Sequence, residues 1–137
     1  MRMSQLTFPA RFEYLDEIRD YVAGEARAVG FSEKAVYALQ LAADEAASNI
    51  IEHAYAGKSD ASFEISCEFS AGRLVLTFYD QGQSFDISKV SKPDLKADLS
   101  ERKIGGLGIY LMHKLMDEVH YQSTGTVNVL TLVKRKE

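Results

Sequence analysis

The chain has one cysteine, Cys67, and that excludes an internal disulfide. Alone in an alternating stretch, it fits a small buried hydrophobe. No apolar run approaches the roughly 20 residues that span a bilayer. The opening Met-Arg-Met-Ser-Gln-Leu lacks a signal-peptide core, so the expectation is a soluble, cytoplasmic protein with no membrane partner. Basic residues are not in surplus either. Sixteen Lys and Arg stand against 20 Asp and Glu, a net charge of −4, which argues against direct nucleic-acid binding. Repeats, low-complexity tracts and interdomain linkers are missing too. What is present is ordinary: 137 residues, 46% hydrophobic and 26% charged, enough for one domain with one core. Composition says nothing about chemistry.

Periodicity says more. Leu6 and Phe8 alternate with polar Gln5 and Thr7, predicting a short strand stopped near Pro9. Phe12, Leu15, Ile18, Val22 and Ala26 recur at helical spacing, and Gly30 is placed to end that helix. Ser32 can cap the next. There Val36, Leu39, Ala43, Ala46, Ile50 and Ala54 make the core stripe of one continuous helix, with Glu45, Asn49 and Glu52 along its edge. The period then changes to two. Phe63, Ile65, Cys67 and Phe69 form one strand, Ala71-Gly72 a tight turn, and Leu74, Leu76 and Phe78 the return strand. A long polar stretch follows to Ile104, of the kind that serves as a lid or binding loop. Gly105-Gly106-Leu107-Gly108 opens a third helix, and two strands close the chain, one around Val119 and Tyr121, the other from Thr126 to Val133, with Thr124-Gly125 between them. Strands joined mostly as hairpins predict a two-layer α/β sandwich: a mixed, mostly antiparallel sheet with helices on one face.

Three stretches can carry chemistry. In Asp44-Glu45-Ala-Ala-Ser48-Asn49 the carboxylate of Glu45 and the carboxamide of Asn49 lie one helical turn apart on one face. An Asn oxygen can ligate Mg²⁺ without adding charge, and a carboxylate beside it can deprotonate a hydroxyl. The same residues also suit the wet side of an ordinary helix. Ala42, Ala43, Ala46 and Ala47 around the acidic pair leave room for close approach. Asp80-Gln81-Gly82 ends a strand; Asp can accept a hydrogen bond from an exocyclic amine, and Gly permits a turn with positive φ, though Asp and Gly also make plain turns. Gly106-Leu107-Gly108 at a helix start can offer backbone amides to phosphate, or serve only as a hinge.

In that order the three stretches resemble the GHKL ATPase superfamily and its Bergerat fold. Asp44-Glu45-Ala-Ala-Ser-Asn49-Ile-Ile-Glu-His53-Ala-Tyr55, Gly106-Leu107-Gly108-Ile-Tyr-Leu-Met-His-Lys-Leu-Met-Asp117 and the closing Asn128-Val-Leu-Thr131-Leu-Val are similar to the bacterial anti-sigma-factor serine/threonine kinases. The resemblance implies one ATP-binding kinase domain over 1–137 with an ATP lid at about 81–105. It also implies Glu45 as general base, Asn49 as Mg²⁺ ligand, and Asp80 reading the adenine amino group. Gly82 would shape that pocket, Gly106, Leu107 and Gly108 would face the phosphates, and Thr131 would add a contact near adenine. Its implied partners are an anti-anti-sigma protein as substrate, a sigma factor, and a second copy of the chain. One departure stands out: Gln83-Ser84 where the family often has a second glycine.

Two other functions fit the same residues. One is a nucleotide-binding interaction module without catalysis; the other is a detached histidine-kinase catalytic domain. Against the latter, the sequence leaves no region for a helix pair bearing a phosphoacceptor, and His53, His113 and His120 fall at structural or surface positions. Arg102 and Lys103, in a segment of mixed charge, are candidates for closing on the γ-phosphate.

Overall fold

The structure, a computed structural model, describes residues 1–55, 60–82 and 104–136, with only the backbone of 104–109. Strand β1 (Arg2–Pro9) leads through a 3₁₀ turn (Phe12–Tyr14) into helices α1 (Leu15–Ala28) and α2 (Glu33–Asn49), and α2 continues as a π-helical turn (Ile50–Ala54). Strands β2 (Ser62–Ser70) and β3 (Arg73–Asp80) form a hairpin; α3 (Ile104–Leu115), β4 (Glu118–Ser123) and β5 (Asn128–Arg135) complete the chain. The sheet order is β1-β2-β3-β5-β4. All four pairings are antiparallel, so the described sheet contains none of the parallel pairs that a mixed sheet would have.

One face of the sheet carries the core. Ile65 opposes Phe78, which opposes Leu130, and Cys67 opposes Leu76, which opposes Leu132. All six are buried against the helices. Burying side chains of this size stabilises by about 1.5–3 kcal/mol each before entropy is counted. The helices answer with Ile18, Val22 and Ala26 from α1 and with Val36, Leu39, Ala43 and Ala46 from α2, the stripe that periodicity predicts. At the sheet's first edge, Ser4 and Arg2 also point to the helix layer. Ser4 Oγ lies 2.7 Å from the Tyr21 hydroxyl, and Arg2 Nε donates to Glu25 at 2.9 Å.

Local signals set the boundaries. Gly30, at φ 88°, ends α1 in a Schellman arrangement: Phe31 N–H reaches Ala26 C=O and Gly30 N–H reaches Arg27 C=O, both at 3.1 Å. Ser32 Oγ then accepts the Ala35 N–H at 3.2 Å and starts α2. Strand β5 begins at Asn128 and not at Thr126, because Thr124 and Val127 are tied in a turn, the Thr124 N–H donating to Val127 C=O at 3.0 Å.

The predicted continuous helix from Ser32 is continuous in path but not in winding. Past Asn49 the backbone loosens, and the Tyr55 N–H reaches back five residues to Ile50 C=O at 3.0 Å. The wider turn delivers Ala54 and Tyr55 to the end of β3.

Candidate functional site

The sheet's central strand and the end of the long helix meet at one corner. Asp80 is the last residue of β3, on the inward face, and is buried. Its Oδ1 accepts the Gly82 N–H at 2.9 Å and the Asn128 Nδ2–H at 2.7 Å. Burial pushes the carboxyl above the ordinary carboxylate range, and those two hydrogen bonds only partly oppose it. No described group donates to Oδ2. A half-satisfied buried carboxylate is suited to an incoming N–H donor.

Gly82 is required here, for a reason other than the expected one. Its φ is not positive; instead, a Cβ at this position would lie 2.3 Å from the Ala54 carbonyl oxygen. The turn after β3 therefore lies directly on the π-helical turn. Tyr55 fastens the junction from the other side. Its hydroxyl accepts the Gln81 N–H and donates to Ser62 C=O, both at 2.8 Å. The family resemblance includes Tyr55 but gives it no role; its place becomes visible only where the two strands and the helix end meet.

Asn49 closes α2 and is 3% exposed, not on the wet side of the helix. Its Nδ2 is buried with no hydrogen-bond partner among the described residues. Buried carboxamides are almost always paired, so this one is placed to meet a group from outside the described chain. Glu45, one turn earlier, is half-buried, and burial, then Asp44, then Glu52, raise its pKa. Asp44 itself turns away to bind Arg19 of α1. The result is a carboxylate that is a stronger base than an exposed one, beside an amide.

The remaining predicted residues divide. Gly106, Leu107 and Gly108 lie in the first turns of α3, whose helix starts earlier than expected, at Ile104. α3 packs on α2, so the third stretch joins the same helix layer. The proposed lid at about 81–105, with the Gln83-Ser84 departure and Arg102 and Lys103, lies almost entirely outside the described residues.

Thr131 is not brought to the site. Strand parity puts it opposite Thr77 and His120 on the other face of the sheet, while Asn128, Leu130 and Leu132 face inward. The residue of β5 that reaches Asp80 is Asn128. Parity is the signal that finds it: Asn128 is the polar residue at the Asp80 end of an inward series that continues through Leu130, Leu132 and Lys134.

A hollow of about 360 Å³ opens at the same end of the sheet, lined by Thr7, Tyr55, Glu64, Tyr79, Asp80 and Gln81 among others. It shares the Asp80 turn but includes neither Glu45 nor Asn49. Among the described residues no group of three His, Cys, Asp or Glu side chains gathers to hold a metal. No described helix is long and apolar enough to cross a membrane.

An antiparallel α/β sandwich with a buried Asp ending its central strand, a helix bearing Glu and Asn, and a Gly-rich helix start defines a nucleotide-binding ATPase-type domain. The model of the histidine kinase-like ATPase domain matches residues 8–134, and the chain belongs to that family. Within it, the chain is 39% identical over 134 residues to the serine-protein kinase RsbW of Bacillus licheniformis, covering 91% of this chain and 81% of that one. The corresponding kinases are 37% identical in Bacillus subtilis, with the same coverage, and 33% identical in Listeria monocytogenes, with 92% and 83% covered. Among solved structures, one of RsbU and RsbW domains from Mycobacterium tuberculosis superposes with a TM-score of 0.71 at 17% identity, over 99% of this chain and 33% of that one. The SiaB–SiaC complex from Pseudomonas aeruginosa contains a chain that superposes at 0.67 and 17%, over 95% and 88%. The structural likenesses carry the fold alone. The sequence relatives are serine-protein kinases.

Proposed function

We propose that this chain is an ATP- and Mg²⁺-dependent serine/threonine protein kinase that acts as an anti-sigma factor, phosphorylating an anti-anti-sigma protein and sequestering a sigma factor, as a homodimer. The observation that carries the reading is the buried Asn49 carboxamide, whose Nδ2 has no partner among the described residues and whose Oδ1 is the atom able to ligate a cation, one helical turn from the raised carboxylate of Glu45. Asn49 would supply the protein ligand to Mg²⁺; when bound, the ion neutralises phosphate charge. Glu45 would accept the proton of the attacking Ser or Thr hydroxyl, a task its raised pKa favours. Asp80 would accept from the adenine amino group, and the amides opening α3 around Gly106, Leu107 and Gly108 would face the phosphates. In the transfer the hydroxyl oxygen would bond to the γ-phosphorus, the bond from the γ-phosphorus to the β-phosphate oxygen would break to release ADP, and the proton would go to Glu45.

Incubation with ATP, Mg²⁺ and the cognate anti-anti-sigma protein should yield phosphoserine or phosphothreonine on that protein. Phosphotransfer should depend on Mg²⁺, and Asn49→Ala should weaken Mg²⁺-ATP binding far more than metal-free ATP binding. Tight ATP binding with no transfer to any cognate partner would instead identify a non-catalytic regulatory module.

A further inference from the structure

We infer that Asn128 is a positioning residue for base recognition: by holding one oxygen of Asp80 it leaves the other to read an exocyclic amine, and so makes the site select a 6-aminopurine over a 6-oxopurine. The inference rests on the reading of Asp80 as the base-binding carboxylate and adds to it a residue to which the family resemblance gives no role.

The geometry is closed and one-directional. Asn128 is 2% exposed and sits opposite Asp80 in the β3–β5 register. Its Nδ2 donates to Asp80 Oδ1 at 2.7 Å and to Gly82 C=O at 2.9 Å. Both partners are acceptors, so the end of the carboxamide facing them must be the NH₂, and both of its hydrogens are used. The Gly82 N–H returns to the same Asp80 oxygen at 2.9 Å, so side chain, turn and neighbouring strand form one ring of hydrogen bonds. Oδ1 thus has two donors and Oδ2 has none among the described residues. Without Asn128 the carboxylate would keep only the Gly82 amide and could rotate about χ2, a broad torsion. Either oxygen could then turn away from the base.

Selectivity follows from what each base presents. A 6-amino group donates to Oδ2. A 6-oxo group would bring an acceptor against a fixed acceptor, and unpaired polar contacts of that kind are what make hydrogen-bonding sites reject near-isosteres strongly. A carboxylate free to rotate discriminates less. The alternative is that Asn128 merely satisfies buried polar groups and stabilises the fold. That role would weaken all nucleotides alike.

The test is the ratio of dissociation constants for ITP and ATP, measured by calorimetry on wild-type protein and on Asn128→Ala and Asn128→Leu, with folding checked by thermal melting. Asn128→Leu is close in volume, fills the site without a donor or a charge, and serves if the alanine variant does not fold. Wild-type protein should prefer ATP by at least about 100-fold. Each folded variant should lose about tenfold of that preference, chiefly through weaker ATP binding, the size expected for one hydrogen bond to a charged group. An unchanged ratio, or equal weakening of both nucleotides, would overturn the positioning role while leaving the nucleotide site intact. Wild-type protein that binds neither nucleotide would instead bring down the reading of Asp80, and this inference with it.

Discussion

Gly82 and Ala54 touch so closely that a single added carbon does not fit: a Cβ on Gly82 would lie 2.3 Å from the Ala54 carbonyl oxygen and 2.5 Å from its carbonyl carbon. Both obstacles are backbone, so no rotamer change relieves them. Gly82→Ala should therefore push the Asp80 turn off the π-helical turn, destabilising the fold by about 1–3 kcal/mol, the usual range for overpacking. ATP affinity should fall at least tenfold more than this instability explains, because the displaced turn carries the Asp80 hydrogen bonds. Thermal melting and calorimetry on the same sample separate the two effects.

Asp80→Asn sets stability against binding. The carboxyl of Asp80 titrates above its ordinary value because it is buried. Between the unfolded and the folded value the native state holds the extra proton, so this group's contribution to stability is fully present below the ordinary carboxylate pKa and is lost as pH rises through the raised one. At neutral pH the ionised carboxylate is a cost. An asparagine keeps the oxygen that Gly82 and Asn128 bond and removes the charge. The variant should be at least as stable as wild type at pH 7, with a flatter dependence of melting temperature on pH. It should bind ATP on the order of 10–100-fold more weakly, since it turns an amide donor toward the base amine. A variant that was less stable at pH 7 would contradict the burial argument.

Much of this architecture is legible from periodicity and punctuation. The core stripe of α2, the β2–β3 hairpin, the Gly30 stop and the Ser32 cap all follow from residue type and spacing, because each depends on neighbours close in sequence. The site is less so. Amphipathic reasoning leaves Asn49 on the wet edge of its helix, whereas the structure buries it, and the π-helical turn has no signature in a 3.6-residue pattern. The need for glycine at position 82 is readable from the Asp80-Gln81-Gly82 turn, but its reason is not, since the requirement comes from a backbone 28 residues earlier. Thr131 and Asn128 were separable by strand parity once β5 is registered to Asp80. That register is a long-range fact, and spacing within one strand does not supply it.

Glu45→Gln tests the chemistry without disturbing the fold. If Glu45 is the base, phosphotransfer should fall by about 10²–10⁴, the range for general-base removal, with ATP affinity kept within about twofold. In wild-type protein the acid limb of the turnover profile should lie above the ordinary glutamate range, because burial and then the charges of Asp44 and Glu52 raise this carboxyl. Turnover should drop as pH falls through that raised value, and the limb should vanish in Glu45→Gln. An acid limb in the ordinary range, with undiminished transfer in the variant, would remove Glu45 from the reaction.

The β2–β3 hairpin offers a change that should leave function untouched. Its two turn residues, Ala71 and Gly72, have φ of 51° and 74°, the pair of positive values that a two-residue type I′ turn demands. Gly72 adopts this freely. Ala71 is the only described non-glycine residue with positive φ, and its Cβ pays the left-handed penalty of about 1–2 kcal/mol. Glycine removes that penalty but adds unfolded-state entropy, so Ala71→Gly should gain only about 0.5 kcal/mol, and Ala71→Asn, which tolerates the conformation with less freedom lost, about as much or more. The turn lies at the opposite end of β3 from Asp80, so ATP affinity and phosphotransfer should not move. Denaturant melts compared at constant slope give the stability change directly. A loss of stability in both variants would show that the turn in solution is not the one described.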